Sequence, residues 1–253
     1  IEAGENVILT QDLDIDAVAM TKAAHSGLVL ASDIEIDGNG HSISTTAVRA
    51  ILVDGAKKVT IKNLTLNAPQ SERGFQLQGE GETLVLENVV AYSANRTVNV
   101  TATATNANVS IKNCELHGLT TINVWGENHT VVVENTSVYV EDNNSNEGYA
   151  AVYNVAENTT IEFNGGKVVI AGTAAEDTFA ALTSGTAKIV FNDTEGDLTF
   201  VGAVCAINYG KDRYTFETVA DAVAYAKDGE TIVLINDVTE TITVDVDKKI
   251  TLD

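Results

Sequence analysis

The sequence predicts an all-β solenoid. One chain winds into stacked parallel coils of three short strands and about 25 residues each, with a single short helix near the C-terminus. Three observations predict it. A strand motif ending in Asn returns at a nearly constant step, no amphipathic helical pattern separates the returns, and the 253 residues contain one proline, Pro69. Proline cannot donate to a ladder, so its rarity suits a chain made mostly of sheet.

The first strand of each coil carries the motif. It reads Val-Thr-Ile-Lys-Asn at 59–63, Leu-Val-Leu-Glu-Asn at 84–88, Val-Ser-Ile-Lys-Asn at 109–113 and Val-Val-Val-Glu-Asn at 131–135, with steps of 25, 25 and 22. Ile34-Glu35-Ile36-Asp37-Gly38 precedes the series, and residues 161–165 and 189–193 continue it at steps of 30 and 28. A second short strand follows each motif, as at 64–66, 89–91, 115–116, 137–140, 168–170 and 198–200. A third comes after a variable turn, at 50–53, 74–77, 97–100, 121–124, 151–155, 180–182 and 203–207. Coils of this kind stack at about 4.8 Å. Asn tolerates left-handed backbone angles and can bond to the next coil, so Asn63, Asn88, Asn113 and Asn135 are expected to form a ladder on one corner.

Residues 1–208 are expected to form this solenoid. Residues 209–253 change character. Apolar positions at 216, 219, 220, 223 and 226 follow a helical period, with Thr215 or Thr218 as cap and Gly229 past the end. Strands are expected at 231–235, 241–244 and 249–253. This stretch echoes the opening of the chain: Gly4-Glu5-Asn6-Val7-Ile8-Leu9 matches Gly229-Glu230-Thr231-Ile232-Val233-Leu234, and Asp33–Asp37 matches Lys249–Asp253. It reads either as a C-terminal cap or as the start of a second solenoid unit.

Composition narrows the function. Fifteen Lys and Arg against 36 Asp and Glu leave a net charge of −21, which repels nucleic acid and anionic lipid. No apolar run reaches the roughly 18 residues that span a membrane. Cys114 and Cys205 fall in apolar strands and read as buried free thiols rather than a disulfide.

The repeated Val-x-Ile-x-Asn strands and the turn Ile36-Asp37-Gly38-Asn39-Gly40-His41 resemble those of the pectate-lyase-like right-handed parallel β-helix superfamily. The likeness spans roughly residues 5–208. Residues 214–234 look like the start of such helices in large bacterial surface proteins. Enzymes of the superfamily cleave acidic polysaccharides, using aspartate clusters with calcium and arginine, or paired aspartates with Gly-His-Gly and Arg-x-Lys. None of the hydrolase motifs is present here, no catalytic residue is expected, and His25, His41, His117 and His129 stand alone in the sequence. No cofactor or metal is expected. Asp142, Asn144 and Asn146 have the alternate spacing of a calcium loop but lack its glycine and its closing acid.

Ligand contact has better candidates. Arg49, Arg73 and Arg96 are 24 and 23 apart and each opens a third strand, so they would stack into a basic stripe, unless each pairs with Asp54, Glu72, Glu80 or Glu82. Gln76, Asn99, Asn123 and Asn154, beside Trp125, Tyr149 and Tyr153, form a column of outward amides and aromatics suited to sugar, or else a plain solvated face. The expected protein is a non-catalytic module, on the bacterial surface or secreted, for adhesion or for contact with a polysaccharide or host glycan. Divergent polysaccharide lyase or glycoside hydrolase, and structural spacer, are the rival readings.

Overall fold

The computed structural model describes residues 5–16, 25–140, 150–170, 179–192, 198–201, 203–209, 212–235, 238–244 and 248–253. Its body is a parallel β-helix. First-face strands Ile34–Asp37, Lys58–Lys62, Thr83–Glu87 and Asn108–Lys112 pair in parallel and in step, so that Val59, Leu84 and Val109 lie in one column and Ile61, Leu86 and Ile111 in the next. These apolar columns point inward and are buried, while Lys58, Lys62, Glu87 and Lys112 face out. The period of two along a strand and the period of about 25 along the chain thus build the core together. Fully burying one such Val, Leu or Ile contributes about 1.5–3 kcal/mol.

The second face stacks Ser42–Ser44, Thr65–Ala68, Val90–Ser93 and Glu115–Gly118, and the third stacks Ser26–Leu30, Arg49–Val53, Arg73–Leu77, Arg96–Val100, Ile122–Val124, Ala150–Asn154 and Phe179–Thr183. One continuous hydrophobic core, from Leu9 to Ala180, lies between the three faces.

The corner between the first and second faces is a single left-handed residue. Asn63, Asn88, Asn113 and Asn135 have φ of 51°, 54°, 52° and 43°. Asn63 Nδ2 donates to Asp37 Oδ1 at 3.1 Å, Asn88 Nδ2 to Asn63 Oδ1 at 3.2 Å and Asn135 Nδ2 to Asn113 Oδ1 at 2.9 Å. The Asn63 amide is the main reason that the half-buried Asp37 carboxyl titrates below its ordinary value. Such a sharp bend barely interrupts the ladder. In Thr130–Val140 and Thr160–Ile170 the first and second strands fuse into one eleven-residue bent strand, where the sequence pattern predicts two. Gly166, at φ +97°, makes the latter bend possible, since a Cβ there would lie 2.2 Å from Thr136 O.

A second left-handed column, at Asn106, Asn128 and Asn158 with φ of 54°, 58° and 52°, precedes the first face. Asn158 Nδ2 donates to Asn128 Oδ1 at 3.3 Å. Its spacings of 22 and 30 were open to reading from the sequence, but no strand motif ends on it.

The chain leaves the coil plan earlier than expected. Cys205–Tyr209 does not add a parallel third strand. It forms an antiparallel hairpin with Asp212–Phe216, and the latter strand takes the edge of Phe179–Thr183. The hairpin buries Cys205, Ile207, Tyr214 and Phe216 against the helix Val219–Tyr225 in a second core that begins at Cys205 rather than after residue 208. The helix is shorter than its apolar pattern, because residues 212–216 are drawn into sheet. Thr218 caps it, accepting from Asp221 N at 3.1 Å. Thr231–Leu234 and Thr251–Leu252 form strands, but residues 241–244 do not: Ile242 packs on the second core and Val244 is exposed.

Candidate functional site

The third face is where the sequence concentrates its polar and cationic columns. Arg49 pairs with Arg73, and Arg73 with Arg96, as direct cross-strand neighbours in consecutive coils. All three are half-buried where the chain turns into the strand. Like charges opposite one another repel. Arg73 Nη1 meets Glu72 Oε2 at 2.6 Å, and Arg49 Nε is buried without a hydrogen-bond partner among the described residues.

Farther along the same strands, Gln76, Asn99 and Asn123 share one column. They form a directed chain of amides. Trp125 Nε1 donates to Asn123 Oδ1 at 3.1 Å, Asn123 Nδ2 to Asn99 Oδ1 at 2.6 Å, Asn99 Nδ2 to Gln76 Oε1 at 3.0 Å, and Gln76 Nε2 to Gln78 Oε1 at 3.3 Å. The three amides are only 3%, 4% and 2% exposed. They satisfy one another, so they align the coils and leave little surface for a ligand.

Asn154 does not belong to this column. Asn123 pairs with Tyr153 and Val124 with Asn154, so Asn154 stands one residue out of step and faces the interior, fully buried. There its Nδ2 donates to Thr159 O at 3.2 Å and Lys188 O at 2.9 Å, and its Oδ1 accepts from Ala156 N at 3.2 Å. It fastens the corner. Tyr153 takes the expected outward place and meets Trp125 edge-on, with ring centroids 5.9 Å apart. Trp125 is 40% exposed. The column therefore ends in an accessible aromatic pair, about five residues or ~17 Å along the strand direction from the arginines. Residues 141–149, with Asp142, Asn144, Asn146 and Tyr149, lie outside the described residues.

Two histidines hold positions that their isolation in the sequence did not disclose. His129 is buried at the corner after Trp125. Its Nδ1 accepts from Ala107 N at 3.0 Å, which leaves Nε2 to donate to Trp125 O at 2.7 Å. Burial pushes its pKa down, against smaller opposing effects of the Trp125 carbonyl and Glu127. His117 lies between Tyr92 and Tyr139 on the second face, with centroids 4.5 and 4.3 Å away and rings stacked, and its Nε2 lies 2.9 Å from Glu115 Oε1. The signal was present: Tyr92, His117 and Tyr139 are 25 and 22 apart, the step of the Asn motif.

Among the described residues no group of three or more His, Cys, Asp or Glu could hold a metal ion, and no helix is long and apolar enough to cross a membrane. Both cysteines are free and buried, and burial pushes each thiol up to about 11.

A family model described as a right handed beta helix region matches residues 49–213, about two thirds of the chain. No curated protein and no solved structure matches it. With coils stacked in parallel over the same residues, an arrangement consistent with a pectate-lyase-like parallel β-helix, the chain belongs to the right-handed β-helix family.

Proposed function

We propose that this β-helix is a non-catalytic binding rod, on a bacterial surface or secreted, that contacts glycan along its third face. The observation that carries the reading is the arginine column. Three consecutive coils set Arg49, Arg73 and Arg96 side by side on a chain of net charge −21. Guanidinium groups in such a row favour carboxylate or sulfate groups spaced along one ligand, because each forks onto two oxygens. The exposed Trp125, edge-on to Tyr153, adds an apolar ring at the far margin of the same face. The amides Gln76, Asn99 and Asn123 act in this reading as the stiff base between the two margins. The extracellular setting rests on the likeness of residues 214–234 to segments of bacterial surface proteins.

Binding to an array of neutral, uronate-bearing and sulfated glycans tests the reading. We expect signal on the acidic glycans, at least a tenfold loss in the Arg49→Gln, Arg73→Gln, Arg96→Gln triple variant with unfolding temperature unchanged, and a smaller loss in Trp125→Ala. Cleavage of polygalacturonate would replace the binding rod with an enzyme. An array without signal and no cleavage would leave a structural spacer.

A further inference from the structure

Two parts of this chain open a coil in the same way. Residues 5–9 read Glu-Asn-Val-Ile-Leu and residues 230–234 Glu-Thr-Ile-Val-Leu, while residues 34–37 read Ile-Glu-Ile-Asp and residues 250–253 Ile-Thr-Leu-Asp. The structure adds that the two pairs are bonded alike. Val7 pairs in parallel with Ile36, and Leu9 N donates to Asp37 O at 2.9 Å. At the matching positions Ile232 pairs in parallel with Leu252, and Leu234 N donates to Asp253 O at 2.7 Å. Every partner in the second set is the sequence equivalent of its partner in the first.

The segment between the two cores has the geometry of a junction. Asp212–Phe216 runs antiparallel on the edge of Phe179–Thr183, so the first stack of parallel third strands ends there. Cys205–Tyr209 lies beyond it, and Thr231–Leu234 pairs with that strand in turn. The helix Val219–Tyr225 is gripped at both ends by the segment that returns to the sheet. Glu240 accepts from Val219 N at 2.9 Å and Ala220 N at 3.3 Å, while Lys248 Nζ donates to Ala224 O at 3.1 Å and also to Ala226 O. Opposite charges thus sit on the two ends of the helix as its dipole favours. They deliver residues 249–253 to the side of Thr231–Leu234.

In the first coil the far edge of Ile34–Asp37 receives Lys58–Lys62. The far edge of Thr251–Leu252 carries no strand among the described residues, and Leu252, the equivalent of the buried Ile36, is 53% exposed. Ile250 and Leu252 keep the apolar alternation of a coil strand.

We propose that the edge of Thr251–Leu252 is a receiving surface for a further parallel β-coil of the kind formed by residues 38–62. Residues 203–234 then end one β-helix and open another. The occupant is a β-coil whose first strand alternates apolar and polar side chains, docking in register so that its apolar column continues Ile232 and Leu252.

The test is the full chain with a second copy of residues 38–140 fused directly after Asp253, read by hydrogen exchange and limited proteolysis. The appended amides are expected to be protected as strongly as the same residues in the first rod. The same in-register fusion carrying Leu252→Lys, which puts a charge in the column that the appended copy of Ile61 would continue, should lose that protection. An appended segment that aggregates or exchanges freely in the unsubstituted fusion, or equal protection in both fusions, overturns the proposal. In the unfused chain, Leu252→Lys is expected to leave exchange in residues 34–170 unchanged. Faster exchange there would mean a lid on the first rod, and overturns it as well.

Discussion

Asn123 Nδ2 donates to Asn99 Oδ1 across 2.6 Å, and both residues are more than nine-tenths buried on the outer side of the third sheet. This bond is the middle of a chain that runs from the Trp125 indole to Gln78. In Asn99→Ala, Gln76 Oε1 and the Asn123 amide lose their partner together. Urea unfolding is expected to show a loss of about 1–3 kcal/mol, the range for buried polar groups left unsatisfied. No change in the midpoint would mean that the amides are bonded to water instead.

The left-handed corner makes a separate prediction. Asn88 sits at φ 54° and bonds to Asn63. In Asn88→Ala the Cβ stays in a region that L-residues avoid, at about 1–2 kcal/mol, and the ladder bond is lost as well. Asn88→Gly relieves the backbone and loses only the bond, so it should recover most of the stability. Equal midpoints for the two variants would exclude backbone strain as the reason for asparagine here.

Stability should depend on pH through His129. Its ordinary pKa is 6.5, and burial holds the folded value lower. The unfolded chain therefore takes up the proton first as pH falls. The contribution of the neutral, buried ring is whole above about pH 6.5 and is lost progressively below it, down through the lowered folded value. Urea midpoints measured from pH 8 to pH 5 should fall over that range in the wild type. In His129→Gln the fall should be smaller, since the buried ring is gone.

The thiols should be silent in the folded protein. Burial raises both Cys114 and Cys205 to about 11, so almost no thiolate exists near neutral pH. Alkylation followed by mass measurement is expected to label neither residue in native buffer within the time that labels both in denaturant. Cys205 sits in the second core and Cys114 in the first-rod core. Labelling of Cys205 alone would show that the hairpin and helix open independently of the rod.

The repeat, the three faces and the arginine register were legible because a solenoid turns sequence period directly into spatial neighbourhood. A step of 25 along the chain is one strand spacing in space, so Asn63 meets Asn88 and Arg73 meets Arg96. The same logic failed where the step changed. Between Asn123 and Asn154 a longer coil intervenes, the register falls on Tyr153, and Asn154 turns inward. A one-residue difference is invisible in composition and decides the face of each side chain in that strand.

The sequence by itself determined a β-helix with an asparagine corner and an arginine row, because period-two alternation inside a repeat of about 25 admits one way to bury its apolar columns. Only the tertiary structure decided that the polar column of the third face is spent on its own hydrogen bonds, that His129 is a buried, neutral corner residue and that Cys205–Tyr209 and Asp212–Phe216 pair antiparallel. Those outcomes depend on which partner a donor or a strand edge finds across the coils, and a free edge or an unpaired amide accepts the neighbour that packing brings within about 3 Å.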